Sequence, residues 1–260
     1  MPDLQQKPVK PTKFILPISF GKDSVATAIL CHEHGIPIDE AIYTEVMFQF
    51  EPFPVSGENP AHLRFIREKA IPVLESWGIK VTVLRSDKCY LDCFYHKIKH
   101  ARLYPEHEGM SYGFPKPGMC QVMRDCKYLP AMRYLSETSK QYNVVEYLGY
   151  TVDEPKRLKH LEGTNNVSIL AEYGLTQKDT YALAKRYGLL SPIYSLSGRG
   201  GCWMCGYAKD DEILDIMHGP QSEAWERFVS LEDVPNIVYG RWSPITKETL
   251  HERDQRLKGL

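Results

Sequence analysis

The sequence predicts an α/β protein, with a mainly parallel five-stranded sheet, helices on both faces and a helical C-terminal extension. Three observations predict it. Between residues 14 and 187 short apolar runs alternate with stretches of helical periodicity, the pattern of strands joined by crossover helices. A glycine–lysine loop stands where the first run gives way to the first helix. Beyond Cys205 the strand signals cease and helical periodicity remains.

Taken in order, residues 14–20 predict a strand that stops at Gly21, and residues 24–34 a helix that Gly35 closes. Residues 41–48 predict the second strand, 61–77 a helix kinked at Pro72, and 80–84 the third strand. A helix over 128–141, a buried strand over 143–150, a short fifth strand over 167–170 and a helix over 177–187 follow. The extension carries helices at 210–217, 222–229 and 247–257, and residues 104–119, rich in Gly and Pro, read as a mobile loop. In such a sheet ligands bind at the carboxyl ends of the strands, where the loops starting at Ser19, Phe48 and Gly149 would meet.

With 32 basic and 33 acidic residues and a net charge of -1, the chain is not a uniformly basic nucleic-acid binder, though a local basic groove remains open to it. At 43% hydrophobic and 25% charged it has the composition of an ordinary soluble globular protein. No apolar run approaches the length of a membrane span, and residues 1–13 are polar and unlike a secretory signal. The seven cysteines, an odd number, predict reduced thiols, metal ligation or redox chemistry in the cytoplasm rather than a disulfide framework.

Ser19-Phe20-Gly21-Lys22-Asp23-Ser24 follows a strand and opens a helix. Gly21 lets backbone approach a phosphate, the helix start offers unpaired amides, and Lys22 with the Ser19 and Ser24 hydroxyls adds charge and hydrogen bonds. The spacing is neither that of a Walker A loop nor that of a dinucleotide fingerprint. The alternative is a chance Gly-Lys turn at a helix start.

At these residues the chain resembles the PP-loop superfamily, and most closely the branch of phosphoadenylylsulfate reductases and ATP-pyrophosphatase relatives, whose loop runs Ser-x-Gly-Lys-Asp-Ser. The resemblance spans about residues 14–209 and implies a Rossmann-like fold. It implies that the loop binds the phosphates of ATP or a related adenylyl nucleotide, which is cleaved at its α-phosphate. Ser19, Lys22 and Ser24 would contact phosphate, with Phe20 and Gly21 shaping the loop and Asp23 holding Mg²⁺ or orienting it. Gly149-Tyr150-Thr151-Val152-Asp153-Glu154, with Arg157, looks like the family's second segment, lacking its first arginine. That likeness places Gly149 and Glu154 at the nucleotide and Arg157 at the pyrophosphate leaving group; an ordinary capped helix is the other reading. After the second strand the chain reads Tyr43-Thr44-Glu45 where reductases carry Asp-Thr-Gly.

Gly198-Arg199-Gly200-Gly201-Cys202-Trp203-Met204-Cys205 presents a Cys-x-x-Cys pair that can chelate a metal or cycle as a disulfide. Cys120 and Cys126 precede Lys127-Tyr128-Leu129-Pro130, which resembles the family's cysteine-bearing helix start, where upstream cysteines join the later pair on an iron-sulfur cluster in some branches. Cys120, Cys126, Cys202 and Cys205 are therefore the candidate metal ligands, for a four-iron four-sulfur cluster or for zinc. Cys89 and Cys93 read as thiols packed one helical turn apart, a second redox or metal pair being the alternative, and Cys31 as core.

The expected organisation is a flexible leader (1–13), a PP-loop nucleotide-binding domain with a Cys-rich site (14–209) and the helical extension (210–260). The expected function is ATP cleavage at the α-phosphate, with adenylyl transfer and pyrophosphate release, in sulfur transfer or modification of a nucleic acid or small molecule. Lys22, Asp23 and Arg157 would serve catalysis. A sulfonucleotide reductase is an alternative, although no cysteine follows Cys205 to serve as its nucleophile. A non-catalytic nucleotide-binding subunit of a larger complex is another. The expected partners are an adenine nucleotide, a nucleic acid or sulfur-donor protein, and a second copy of the chain. Tyr95, Lys97, Lys99, His100, Arg102 and Tyr104 form a basic and aromatic run suited to a polynucleotide or a sulfonucleotide, or to a solvated helix face.

Overall fold

The computed structural model describes residues 10–116, 118, 120–196, 198 and 201–259. Its strands are β1 (Thr12–Pro17), β2 (Glu40–Thr44), β3 (Met47–Gln49), β4 (Val55–Ser56), β5 (Lys80–Leu84), β6 (Ser111–Gly113), β7 (Asn143–Glu146) and β8 (Ile237–Tyr239). The chain divides into two compact units. The first takes residues up to Tyr43, Val73–Thr82 and Ala131–Leu190; the second takes Thr44–Pro72, Val83–Pro130 and Ser191 onward.

The first unit is built on a four-stranded sheet in the order β5-β2-β1-β7, in which β1 runs parallel to both β2 and β7. Five strands were expected. Residues 167–170 supply only a single parallel bridge, Tyr147 to Val167, because Ser168 turns the chain into a helix by accepting from the Ala171 amide. Strand β1 begins at Thr12, inside the expected leader, and ends at Pro17, where the missing proline donor interrupts least.

Helix α1 (Lys22–His34) connects β1 to β2. Ser24 to Cys31 are all buried, and the helix packs against the helices Gln177–Arg186 and Ile169–Glu172. It stops at Gly35, whose φ of 63° is left-handed and whose amide returns to the carbonyl of His32, a closure that glycine makes without steric penalty.

The second unit holds an aromatic core. Phe48, Trp203 and Phe228 meet with ring centroids 4.9 to 6.0 Å apart, and Tyr90, Trp225 and Trp242 pack onto Phe228. The strand expected over 41–48 is two: β2 ends at Thr44, and β3 pairs antiparallel with β4. The helix expected over 61–77 contains a wide π turn, Ile66–Ala70, before Ile71–Ser76, so the chain accommodates Pro72 by widening the turn ahead of it.

The helices Asp210–Met217 and Ser222–Val229 stand where expected. The last, Leu250–Lys258, starts three residues late because Thr249 caps it, its hydroxyl accepting from the Glu252 amide. The extension is not wholly helical: β8 runs parallel to β6, which lies inside the segment read as a mobile loop. That loop also forms the 3₁₀ turn Pro105–His107, and its Pro117 and Met119 lie outside the described residues.

In the first unit Glu40 is fully buried and carries the main buried charge of the sheet. Lys13 (2.6 Å), Lys80 (2.9 Å), the Tyr134 hydroxyl (2.8 Å) and Thr82 all bond its two oxygens. Burial works against its ionisation, but these partners outweigh burial and bring its pKa from 4.5 to about 2. A depressed carboxylate stabilises the fold fully above its unfolded pKa and loses that contribution as pH falls toward the folded one. Glu40→Gln is expected to destabilise the protein by roughly 2 kcal/mol at neutral pH, less than for a dry pair because Lys80 reaches water. In urea titrations the gap between wild type and variant should close as pH falls from about 5 toward 2.

Candidate functional site

The turn from β1 into α1 takes its shape from a residue other than its glycine. Gly21, the residue capping α1, has extended backbone (φ -73°, ψ 162°), and the left-handed position is Phe20 at φ 57°. A bulky side chain there costs about 1–3 kcal/mol unless its surroundings hold it. Phe20 is fully buried and meets Tyr43 edge to face at 5.2 Å, so packing offsets the strain.

No side chain caps the start of α1. The first amides of a helix have no intrahelical acceptor and carry the positive end of its dipole, which suits an anion. Around them the Ser24 hydroxyl donates to the Gly21 carbonyl (3.1 Å) and accepts from the Ser19 amide (3.4 Å). The Lys22 ammonium bonds the Asp23 carboxylate at 2.7 Å and reaches Thr180 at 3.4 Å, while the Thr180 hydroxyl donates to Asp23 at 2.6 Å. Thr180 is fully buried on the helix Gln177–Arg186 and steadies both charged members of the loop. Nothing in its sequence surroundings marks it, since a threonine in the first turn of a helix is commonplace.

Gly149 closes the other side. A Cβ there would lie 3.1 Å from the Ser24 amide nitrogen and 3.2 Å from the Asp23 carbonyl carbon, so any larger residue would require the loop to give way by a few tenths of an ångström. The structure thus brings Ser19, Phe20, Gly21, Lys22, Asp23, Ser24 and Gly149 together. Glu154 and Arg157 pair with each other across the start of the short helix Pro155–Lys159. Glu154 also accepts from the Thr151 amide at 3.2 Å, and the Arg157 guanidinium lies 4.0 Å over the Tyr150 ring. Burial opposes the Glu154 charge, but Arg157 and Thr151 prevail and hold the carboxyl below its ordinary range.

Cys120, Cys126, Cys202 and Cys205 all lie in the second unit, as do Cys89 and Cys93. The Cys202–Cys205 turn is pinned from inside: the Trp203 amide donates to the Gly57 carbonyl and its indole to the Ser56 carbonyl, both at 3.0 Å. The Trp242 indole donates to the Met204 carbonyl at 2.9 Å, and the Cys205 amide closes on the Cys202 carbonyl at 3.1 Å. The glycine turn before it lies partly outside the described residues, at Arg199 and Gly200. The Cys120 sulfur accepts from the Met123 amide at 3.5 Å, and the sulfurs of Cys93 and Cys126 stand 3.8 Å apart. Among the described residues no three His, Cys, Asp or Glu side chains group closely enough to hold a single metal ion. A zinc ion would need its thiolates about 3.8 Å apart around bonds of about 2.3 Å, so the single-ion alternative lacks a gathered ligand set. A cluster spreads its thiolates farther. Burial raises the pKa of the Cys120 and Cys202 thiols, a direction that bound metal would reverse.

The chain matches no protein-family model and no curated protein. Among solved structures it is similar to the U34-tRNA thiolase NcsA from Methanococcus maripaludis with its four-iron four-sulfur cluster, at 14% sequence identity and a TM-score of 0.40, over 96% of this chain and 82% of that one. No helix among the described residues is long and apolar enough to cross a membrane.

Gly149→Ala is expected to push the α1 start away from the β7 end and to destabilise the protein by about 1 kcal/mol, measured by urea unfolding. Gly35→Ala, in open space but at positive φ, serves as the control for backbone strain without a clash.

Proposed function

We propose that this chain is an enzyme that binds ATP at residues 19–24 and cleaves it at the α-phosphate, in sulfur transfer to, or modification of, a nucleic acid or small molecule. One observation carries the reading: an uncapped helix start wrapped by Lys22, the Ser19 amide, the Ser24 hydroxyl and the close backbone of Gly149. Such a cradle accepts the oxygens of a polyphosphate without reorganising.

In this mechanism an acceptor oxygen attacks the α-phosphorus, the bond from that phosphorus to the β-phosphate bridge breaks, and pyrophosphate leaves. Lys22 and the α1 amides neutralise the leaving charge, Arg157 being a second candidate. Asp23 and Thr180 fix the direction of the Lys22 ammonium. Mg²⁺, when bound, would supply further neutralisation, with Asp23 as its candidate ligand. A sulfur nucleophile then displaces AMP from the activated acceptor. Catalysis of this kind rests on positioning and charge stabilisation.

A polynucleotide acceptor is supported by the second unit. Residues 96–98 bond back to 109–112 and close a hairpin. Tyr95, Lys97, Lys99, His100, Arg102 and Tyr104 are exposed on or beside it. Exposed rings beside cations suit stacked bases and phosphates.

Wild-type protein should release pyrophosphate from Mg·ATP in the presence of RNA or small-molecule acceptors, and Lys22→Ala should lower the rate by about a hundredfold. Equal rates in the two proteins would remove Lys22 from the chemistry, and ATP binding without release would leave a nucleotide-binding protein and not an enzyme.

A further inference from the structure

In the second unit, Glu45 and Asp125 are each held by two cations. Glu45 takes the Arg67 guanidinium on one oxygen at 2.8 Å and the Arg85 guanidinium on the other, through Nε at 3.0 Å and Nη2 at 2.7 Å. Asp125 takes Arg124 across both oxygens and Lys88 at 3.5 Å. One cation offsets the charge of one carboxylate, so a second leaves positive charge over. At Asp210 a similar pair is balanced, because Glu248 also faces Arg253 and Arg256. Burial is one-sided: the Glu45 and Asp125 side chains are 2% and 12% exposed, their four cations 51 to 60%. Arg85 spends two N–H donors on Glu45 and Arg67 one, a minority of what a guanidinium carries.

The two groups are tied together. The Ser86 hydroxyl, between Arg85 and Lys88 in the chain, donates to the Asp125 carbonyl at 3.0 Å and accepts from the Lys88 amide at 3.1 Å. Asp87, the acid on that turn, lies 3.2 Å from the same hydroxyl. Strand β2 ends at Thr44 and β5 at Leu84, so Glu45 and Arg85 are the first residues past two carboxyl ends, and the Glu45 amide donates to the Leu84 carbonyl at 2.9 Å. Such ends are where α/β sheets take ligands. Both π turns among the described residues carry one of the cations, Arg67 in Ile66–Ala70 and Arg124 in Met123–Tyr128. Turns of this kind recur at functional sites.

We propose that Arg67, Arg85, Lys88 and Arg124 form a phosphate-binding ridge that takes successive phosphate groups of one ligand. Guanidinium forks match tetrahedral oxyanions through paired hydrogen bonds, and forks already fixed by buried carboxylates lose little side-chain freedom on binding. Glu45 and Asp125 set the direction of the cations and do not touch the ligand. This chemistry is shared by a polynucleotide backbone and a free polyphosphate. The ridge belongs to the second unit alone and stands without nucleotide cleavage at residues 19–24.

The test is binding of two probes by the full chain. A fluorescein-labelled single-stranded RNA is read by anisotropy, and inorganic tripolyphosphate by calorimetry on Lys22→Ala, so that the loop at residues 19–24 contributes least. Lys88→Gln with Arg124→Gln should weaken binding and, for RNA, make the slope of log affinity against log salt shallower by about one per charge removed. Arg67→Lys and Arg85→Lys keep a cation on Glu45; they should weaken binding with the salt slope unchanged, because lysine lacks the fork. Lys140→Gln, which removes an exposed cation paired with Glu137 in the first unit, should change nothing. Circular dichroism and urea unfolding separate lost binding from lost fold. RNA binding with these losses makes the ridge a backbone site, and tripolyphosphate binding alone with these losses makes it a site for a small polyphosphate. Binding of neither probe, or ridge variants that fold and bind like their parent, would overturn the ridge; so would RNA affinity lost only in the hairpin variants Lys97→Gln and Arg102→Gln. Pyrophosphate release is a separate readout: its absence from wild type removes the nucleotide reading and leaves the ridge standing.

Discussion

A helix cannot satisfy its own first amides, and in the first unit that constraint falls at the start of α1, where no side chain caps it. The surrounding arrangement follows from leaving that end open. Glycine at 149 lets the backbone lie against Ser24 without displacing it, and the buried Thr180 holds Asp23 and Lys22 in a set direction. Gly35 ends the same helix in left-handed geometry, so both ends of α1 are defined by backbone and neither by a charged cap.

The second unit meets a different requirement. Polar groups near its thiols are set within a core of Phe48, Trp203, Phe228 and Trp242, and most are satisfied by backbone carbonyls. Trp203 sits between Cys202 and Cys205 and is wholly buried, so the Cys-x-x-Cys turn is part of the core and not a loop laid on it. Burial of this order excludes water and strengthens any electrostatic interaction made there.

Much of this was legible in the sequence, and the exceptions have physical causes. The loop at 19–24 and the end of α1 at Gly35 were readable because strand, turn and helix signals agree there. The helix starts at Asp210 and Ser222 were readable because periodicity begins abruptly. The fifth strand failed because Ser168 offers the backbone a cap, a local bond that outcompetes a ladder over so short a run. Strand β8 was missed since a three-residue strand has too few positions for alternation to show. In the candidate site, Thr180 was not singled out because its role arises from residues distant in sequence.

The left-handed Phe20 has a consequence for how the loop meets a ligand. Were glycine at that position, the turn would sample many shapes and an incoming anion would have to select one, with a loss of chain entropy charged against affinity. With a phenylalanine ring locked beneath it, that selection is completed during folding. The loop's conformational strain is therefore held by the core, and on the proposed nucleotide reading substitutions in that core around Tyr43 would act on affinity from beneath the loop without touching the ligand.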